Sequence, residues 1–328
     1  IGVMAPLLLV VLRFVQGLAI GGQWGGAMLL VTESAPKDQR GWYGAYAQAG
    51  APVGVILANL AFLGVSASLS EADFMDWGWR LPFIASFVLI LISMYVQLKL
   101  EDTPAFKALA ANQAPKDTAQ QTVVKSPIVE VLRRYPKRIV LAAGAFLSIQ
   151  VTFYILIAFV VAYGVNSPTV TLSRDMMLTA VLVAAAIMVP SQFYFSGLSD
   201  RLGRKTVYRW GAILTGLWGF ALFPLIDTGQ PVLICFAVTM GLVFLGMQYG
   251  PQAAFFTELF STEVRYSGAS LGYQLGAIVG GALAPTIAVL LWNNFGIFWV
   301  SVYIALAAIL TLMSLSQLTE TQGSDLTD

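Results

Sequence analysis

Long apolar runs separated by short polar segments dominate the chain. Nine runs reach about 20 residues, the length that an α-helix needs to cross the hydrocarbon core of a bilayer. They lie at roughly 3–31, 42–65, 79–99, 138–163, 176–196, 207–226, 231–256, 267–292 and 296–317. The pattern therefore predicts an all-α polytopic membrane protein in contact with the lipid bilayer.

Composition narrows the chemistry that such a protein can perform. Of 328 residues, 58% are hydrophobic and 11% charged, whereas soluble proteins contain about 25% charged residues. The net charge of +1 gives no reason to expect nucleic-acid binding. The chain has no histidine and one cysteine, Cys235, so we expect no disulfide, metal site or cofactor. A membrane enzyme needs convergent reactive groups at depth, and the sequence offers no such set.

The basic residues predict the orientation of the helices. Fifteen of the 18 lysines and arginines fall in alternate segments on one side, against Arg80 and Arg174 on the other and Arg13 within a run. Cytoplasmic loops of membrane proteins carry the excess of Lys and Arg. This rule places on the cytoplasmic side the segments 32–41, 100–137, 197–206 and 257–266 and the C-terminal tail.

Two stretches 225 positions apart repeat each other. Residues 21–40 read "GGQWGGAMLLVTESAPKDQR", and residues 246–265 read "GMQYGPQAAFFTELFSTEVR". The match resumes after one inserted residue, where Gln48, Gly50 and Gly54 correspond to Gln274, Gly276 and Gly280. Both copies have the same predicted orientation. Parallel repeats of this kind build one large class of transporters from two helix bundles.

The repeat also predicts the domain organisation. Three spanning helices precede the second copy within its half, but none precedes the first, so about 90 residues and three helices are expected ahead of residue 1. The chain is then a fragment of a twelve-helix protein. Its expected parts are the remainder of an N-terminal bundle (1–99), a cytoplasmic linker (100–137), a C-terminal bundle (138–318) and a cytoplasmic tail (319–328).

Five motifs carry a family resemblance: "RFVQGLAIGGQWGGA", "TESAPKDQRG", "WGWRLPF", "EDTPAF" and "SDRLGRK". Together they resemble the major facilitator superfamily, and more narrowly its metabolite:proton symporter family, which carries shikimate, oxoglutarate, citrate and betaines. The resemblance implies that the first run is the fourth of twelve helices and that a proton-coupling acid lies in the absent first helix. It also implies a bacterial inner membrane as the location and a small, preferably carboxylate, solute as the partner of a monomeric carrier.

Arg13 is the one charge in the middle of a spanning run. It lies about ten residues into its helix, roughly 15 Å deep, and shares a face with Gln16 and Gly17. A charge at that depth is costly and is rarely exposed to lipid. We favour a role in binding an anionic solute or in responding to the acid of the first helix. A structural ion pair with a neighbouring carboxylate is the alternative.

Neutral polar side chains on the other runs extend this predicted solute path. Any one of them also fits an interhelical hydrogen bond, and the glutamines repeated in both copies are the strongest candidates. The predicted path residues are Arg13, Gln16, Gln23, Gln48, Gln150, Tyr154, Gln248, Tyr249 and Gln274, with Asn59 and Tyr273 as further polar positions.

Charged residues at the predicted cytoplasmic helix ends suggest a gate. Glu33 with Arg40, and Glu258 with Arg265, form a Glu-x6-Arg motif in each copy. Exposed pairs are worth about 0–1 kcal/mol, which suits contacts that form and break between two states. Solvated helix caps are the alternative.

The loop motif "SGLSDRLGRK" (196–205) belongs to the same predicted gate. Gly203 allows a tight turn, and Asp200 can accept hydrogen bonds from the N-terminus of a neighbouring helix. The basic residues Arg201, Arg204 and Lys205 can pair with acids of the other half. A plain basic loop is the alternative, but it does not explain the D-R-x-G-R-K order.

Glycines recur at every fourth position in both copies, a spacing that lets helix backbones approach closely. We expect them to serve helix packing rather than solute binding. They are Gly17, Gly21, Gly25, Gly50, Gly54, Gly272, Gly276 and Gly280.

The favoured function is therefore secondary active transport, with proton-coupled uptake of a small organic acid or osmolyte by alternating access. A uniporter or exporter of the same fold is the nearest alternative. A membrane sensor without transport activity is a more distant one.

Overall fold

The computed structural model describes residues 4–99, 127–261 and 264–324, which form helices joined by short turns. Nine of these helices are long and apolar enough to cross a membrane, as the sequence predicted. In chain order they are α1 (Met4–Ser34), α2 (Arg40–Ser68), α3 (Gly78–Lys99), α4 (Pro136–Asn166), α5 (Arg174–Leu202), α6 (Arg204–Asp227), α7 (Pro231–Glu258), α8 (Arg265–Phe295) and α9 (Phe298–Gln317). Two short helices, Glu71–Asp76 and Pro127–Arg134, lie between them. Most of the predicted linker, 100–126, lies outside the described residues.

Several spanning helices are interrupted. The first two consist of the segments Met4–Ile20, Gln23–Ser34, Arg40–Gln48 and Gly50–Ser68. The third opens with the 3₁₀ turn Gly78–Arg80 and continues as Leu81–Lys99. In α4 a π-helical turn, Ile155–Phe159, separates Pro136–Tyr154 from Val160–Asn166. In α8 the π-helical turn Ala277–Ala282 separates Arg265–Gly276 from Ala284–Phe295.

Local sequence explains where helices begin and end. Ser173 caps α5, because its hydroxyl oxygen accepts a 3.2 Å hydrogen bond from the Met176 amide. Gly203, at φ +98°, separates α5 from α6 in a backbone conformation that favours glycine. The predicted loop 197–206 is wrong as to its extent, since α5 continues to Leu202 and α6 begins at Arg204. The polar residues that follow the apolar run do not end α5. The helix ends only at Gly203.

The second repeat copy lies in a closely packed bundle. Helix α7 packs along α5 and α6, while α9 packs on α6 and α4, and α8 packs on α4. Large buried side chains fill the centre, among them Phe146, Tyr208 and Phe255.

The first repeat copy joins this bundle through α1 and α2. Helix α2 packs on α5 and α7, and the segment Gln23–Ser34 packs on α7 and α8. By contrast, Met4–Ile20 and Leu81–Lys99 contain no buried residue. The contacts between the two copies therefore concentrate on one face of the bundle.

Candidate solute site and charge cluster

A cavity of about 210 Å³ lies where α2 meets α4, α7 and α8. Its lining combines hydrophobic groups with one amide and three phenol groups, and no charged side chain among the described residues lines it. The lining residues are Ala51, Ile149, Gln150, Phe153, Tyr154, Leu245, Tyr249 and Tyr273. Pockets for drug-sized ligands measure about 300–1,000 Å³, so this cavity suits a smaller polar solute.

The cavity brings together predicted path residues that are far apart in sequence. Gln150 and Tyr154 stand four residues apart on α4 and therefore face the same side. Tyr249 comes from the second repeat copy and Tyr273 from the helix that follows it. Amide and phenol groups of this kind donate and accept hydrogen bonds without adding a charge.

Gln48, another predicted path residue, lies buried beside the cavity. Its amide nitrogen donates hydrogen bonds to the backbone oxygen of Tyr249 at 2.8 Å and to Oε1 of Gln252 at 3.2 Å. Its own Oε1 accepts a 3.1 Å hydrogen bond from Trp24 Nε1. Gln48 thus connects both parts of the first copy to α7.

Trp24 was not among the predicted path residues. Its ring stacks on Tyr273, with centroids 4.1 Å apart, and Tyr273 in turn packs on Phe146 at 4.3 Å. One available signal was the repeat itself, because Trp24 occupies in the first copy the position that Tyr249 holds in the second. Trp24 therefore supports a ring that lines the cavity.

The remaining predicted path residues lie apart from the cavity. Gln248 is buried and donates to Thr215 Oγ1 at 2.8 Å, and Gln274 donates to the backbone oxygen of Gly21 at 2.9 Å. Both contacts join neighbouring helices. Gln23 is exposed, and so are Arg13 and Gln16, whose side chains hydrogen-bond to each other at 3.1 Å on α1. The structure does not bring these residues to the cavity lining.

At one end of the bundle, six charged residues form a charge cluster: Glu33, Arg40, Asp200, Arg204, Glu258 and Arg265. Arg265 Nη1 lies 3.1 Å from Glu33 Oε1, and Arg40 Nη1 lies 3.9 Å from Glu258 Oε1. The Glu-x6-Arg spacing predicted a pair within each copy, whereas these two ion pairs run from one copy to the other. The reason is that the packing of α1 and α2 against α7 and α8 sets the two Glu-x6-Arg motifs side by side.

Asp200 and Arg204 link the loop motif to this cluster. Asp200 accepts 2.8 Å hydrogen bonds from the amides of Gly41 and Trp42, at the N-terminus of α2, as the motif predicted. Arg204 Nη1 lies 2.5 Å from Asp200 Oδ1, and Nη2 lies 3.4 Å from Glu258 Oε1. The Arg204 side chain is only 1% exposed, and a buried guanidinium needs such partners to offset desolvation.

Part of the predicted tail also contacts the charge cluster. Glu320 accepts hydrogen bonds from the amides of Arg204 at 2.9 Å and Lys205 at 3.0 Å, at the N-terminus of α6. Thr321 Oγ1 donates to Glu258 Oε2 at 2.7 Å. Lys205 Nζ donates to the backbone oxygen of Leu318. These contacts were not predictable from the sequence, because a short polar tail carries no periodic pattern.

The other basic residue of the loop motif, Arg201, is exposed at the surface. Its position on the last turn of α5 fits the favourable interaction of a cation with a helix C-terminus.

The predicted packing glycines divide into two groups. A Cβ added at Gly272, Gly276 or Gly280 would lie 2.7 to 3.0 Å from atoms of α4, so these three sit at a close helix contact. Gly25 faces Ser270 of α8 across the two copies. For Gly21, the nearest atoms belong to its own helix. No described atom lies within 4 Å of a Cβ built at Gly17, Gly50 or Gly54.

A helix bundle with a parallel repeat, a polar cavity between the copies and ion pairs that join them defines a membrane carrier. The sequence profile of the Major Facilitator Superfamily matches residues 1–272. The chain belongs to this superfamily. It is an integral multi-pass membrane protein and a secondary transporter of a small solute, not an enzyme.

Known proteins support this assignment. The inner membrane metabolite transport protein YhjE of Escherichia coli is 39% identical over 335 residues, which cover 99% of this chain and 73% of YhjE. The shikimate transporter of the same bacterium is 35% identical over 316 residues, covering 94% of this chain and 69% of the transporter. The proton:xylose symporter XylE shares the fold, with a TM-score of 0.69 at 16% identity over 92% of this chain and 68% of XylE. These proportions agree with the prediction that the chain is part of a longer protein.

Proposed function

We propose that the full-length protein imports a small organic acid or osmolyte together with protons. It acts as a monomer in the inner membrane of a bacterium, with its C-terminus in the cytoplasm, and it alternates access by movement of the bundle 1–99 against the bundle 138–318. No resident cofactor takes part, and the coupling ion is H⁺.

The observation that carries this proposal is a polar cavity between the repeat copies, combined with a sealed charge cluster at one end. In the cluster, the side chain of Glu258 is 0% exposed and that of Arg204 is 1% exposed, so solvent does not reach the two charged groups from that end. The positive-inside rule assigns this end to the cytoplasm. The charge cluster is then the closed cytoplasmic gate, and breaking its ion pairs lets the solute leave the cavity inward.

The chemistry of the described residues supports a polar solute with one anionic group. Gln150 and the three tyrosines of the cavity hydrogen-bond a hydroxyl or carbonyl group of the solute. Arg13 lies on α1 outside the cavity lining, and it supplies a positive charge for a carboxylate at another point of the solute path. The shikimate transporter among the relatives moves a solute of this class, according to its name. The family resemblance assigns proton binding to an acid in the first helix of the longer protein.

Uptake into proteoliposomes tests this function. The full-length protein is reconstituted and supplied with labelled shikimate, oxoglutarate, citrate and glycine betaine, with and without an inward proton gradient. We expect the gradient to stimulate uptake of one acid, and Arg13→Ala to lower that uptake about tenfold or more, since a hydrogen bond to a charged group is worth about 1.5–3 kcal/mol. Arg174→Ala, at the exposed arginine that begins α5, is the matched control and should transport normally.

Other outcomes separate the alternatives. Uptake that ignores the proton gradient would contradict symport and leave a uniporter. Efflux from preloaded vesicles without uptake would indicate an exporter. Uptake of betaine alone, unaffected by Arg13→Ala, would contradict both the carboxylate and the role of Arg13.

A further inference from the structure

We propose that Gly281, on the π-helical turn of α8, determines the size of the solute that the cavity accepts. This inference rests on the proposed function, because it takes the cavity as the solute site. Gly281 does not belong to the glycine ladders of the sequence, and it does not itself line the cavity.

Gly281 touches two residues that line the cavity. A Cβ added there would lie 2.8 Å from Cε2 and 3.2 Å from Cδ2 of the Tyr154 ring, and 3.5 Å from Gln150 Nε2. Contacts below 3.0 Å do not persist, so either the ring or the helix must shift. Any side chain at position 281 therefore competes with Tyr154 for space.

The neighbouring Gly280 differs in what it contacts. A Cβ added at Gly280 would lie 3.0 Å from Gln150 Cβ and 3.1 Å from the backbone oxygen of Leu147. These atoms belong to the α4 backbone or lie next to it, so substitution at Gly280 would push the two helices apart. At Gly281 the obstacle is the far edge of a ring that rotates about its own side-chain bonds.

The π-helical turn explains why both glycines face α4. Adjacent residues of a regular helix point about 100° apart, yet Gly280 and Gly281 both meet atoms of α4 within the turn Ala277–Ala282. The residue that Gly281 faces, Tyr154, directly precedes the other π-helical turn of the structure described here, Ile155–Phe159 of α4. Such turns often occur at functional sites, and here they place a glycine against a cavity residue.

The ring, rather than the helix, is the part free to move. Tyr154 is 37% exposed, while the ladder Gly272, Gly276 and Gly280 holds α8 close against α4. A methyl group at position 281 therefore turns the Tyr154 ring away from α8 and across the cavity. In a cavity of about 210 Å³ this excludes large solutes before small ones.

Cysteine labelling tests the cavity size without any knowledge of the solute. In the full-length protein with every native cysteine, including Cys235, replaced by serine, Ala51→Cys places a thiol in the cavity lining. It is treated with methanethiosulfonates that carry aminoethyl, trimethylammonioethyl or N-biotinylaminoethyl groups. We expect Gly281→Ala to lower the labelling rates of the two larger reagents about tenfold relative to the rate of the aminoethyl reagent. The additional change Tyr154→Ala should restore the rates of the larger reagents. A size effect of a single methylene or methyl group in a pocket is about 10–200-fold.

Gly246→Ala is the matched control, since the atoms nearest to its added Cβ are Ser191 Oγ at 3.2 Å and Gln192 Cγ at 3.5 Å, and neither residue lines the cavity. Equal slowing of all three reagents, or slowing that Tyr154→Ala does not reverse, would overturn the role of Gly281. In uptake assays, Gly281→Ala should likewise lower the uptake of larger transported solutes more than that of smaller ones. If the wild-type protein transports no solute of the panel, the proposed function fails, but the labelling result still decides the inference.

Discussion

Replacing Glu258 with glutamine should weaken the charge cluster while preserving the shape of the side chain. The Glu258 side chain is fully buried, faces Arg204 at 3.4 Å and Arg40 at 3.9 Å, and accepts a 2.7 Å hydrogen bond from Thr321. Removing one partner of a buried ion pair costs about 3–5 kcal/mol. In the Glu258→Gln variant Arg204 still has Asp200 as an ion-pair partner at 2.5 Å. We therefore expect the free-energy cost to lie at the low end of this range, about 3 kcal/mol.

This cost falls on the closed state alone if the cluster is a gate. A change of about 3 kcal/mol alters the ratio of closed to open molecules about a hundredfold. Ala253 on α7 can report the change, because it is fully buried where α7 meets α2. A Cβ built at Gly44 of α2 would lie 3.1 Å from the Cβ of Ala253, so the two helices touch at this point. In the full-length protein with every native cysteine, including Cys235, replaced by serine, Ala253→Cys should therefore react slowly with a membrane-impermeant maleimide applied from the cytoplasmic side.

We expect Glu258→Gln to increase that labelling rate tenfold or more. Glu71→Gln is the control, because Glu71 is an exposed acid of the short helix Glu71–Asp76. An unchanged rate in a Glu258→Gln protein that retains its thermal unfolding temperature would refute the gate. Equal acceleration by Glu71→Gln would show that the assay reports a general loosening instead.

Three further changes test separate contacts. Gly203→Ala should lower the free energy of unfolding by about 1–2 kcal/mol, because φ is +98° there, as measured by thermal unfolding in detergent. Trp24→Phe removes the indole N–H that donates to Gln48 but keeps an aromatic ring beside Tyr273, so the solute KM should rise about fivefold, the equivalent of about 1 kcal/mol. Charge reversal at Glu33 or Arg265 alone should abolish uptake, and the double exchange Glu33→Arg with Arg265→Glu should restore part of it.

Each of these predictions has its own control. Gly296→Ala carries the same backbone strain, at φ +94°, without a neighbour within 4 Å, whereas a Cβ at Gly203 would also meet Glu320 at 2.8 Å. The loss at Gly203 should therefore exceed that at Gly296. Trp79→Phe, at a tryptophan 40% exposed, should leave the KM unchanged. A double exchange no more active than either single reversal would contradict the pairing across the copies.

Sequence periodicity was sufficient for the helices but not for their ends. The apolar runs mark all nine spans, because a bilayer requires about 20 apolar residues per helix whatever the partners are. The segment before Gly203 was expected to be a loop, yet α5 continues to Leu202. The polar residues mark where the helix leaves the membrane. The helix itself ends further along the chain, at a residue such as Gly203 whose backbone conformation is not helical.

The candidate site was only partly predictable for a related reason. Gln150, Tyr154 and Tyr249 were chosen as polar residues on spanning runs, and they line the cavity together with Tyr273. Gln23 and Gln248 were chosen by the same criterion, but Gln23 is exposed and Gln248 hydrogen-bonds to Thr215. A polar side chain within a run has no preferred partner until the neighbouring helices are in place.

The amino-acid pattern alone indicates a helical membrane protein, a parallel repeat and charges gathered at one end of the helices. Each of these properties is read from one segment or from the comparison of two segments, without knowing which helices touch. The contacts of Glu33 with Arg265, of Trp24 with Tyr273 and of Gly281 with Tyr154 appear only once the helices are packed together. Each of these contacts joins residues more than a hundred positions apart, and helix packing alone decides which of them meet.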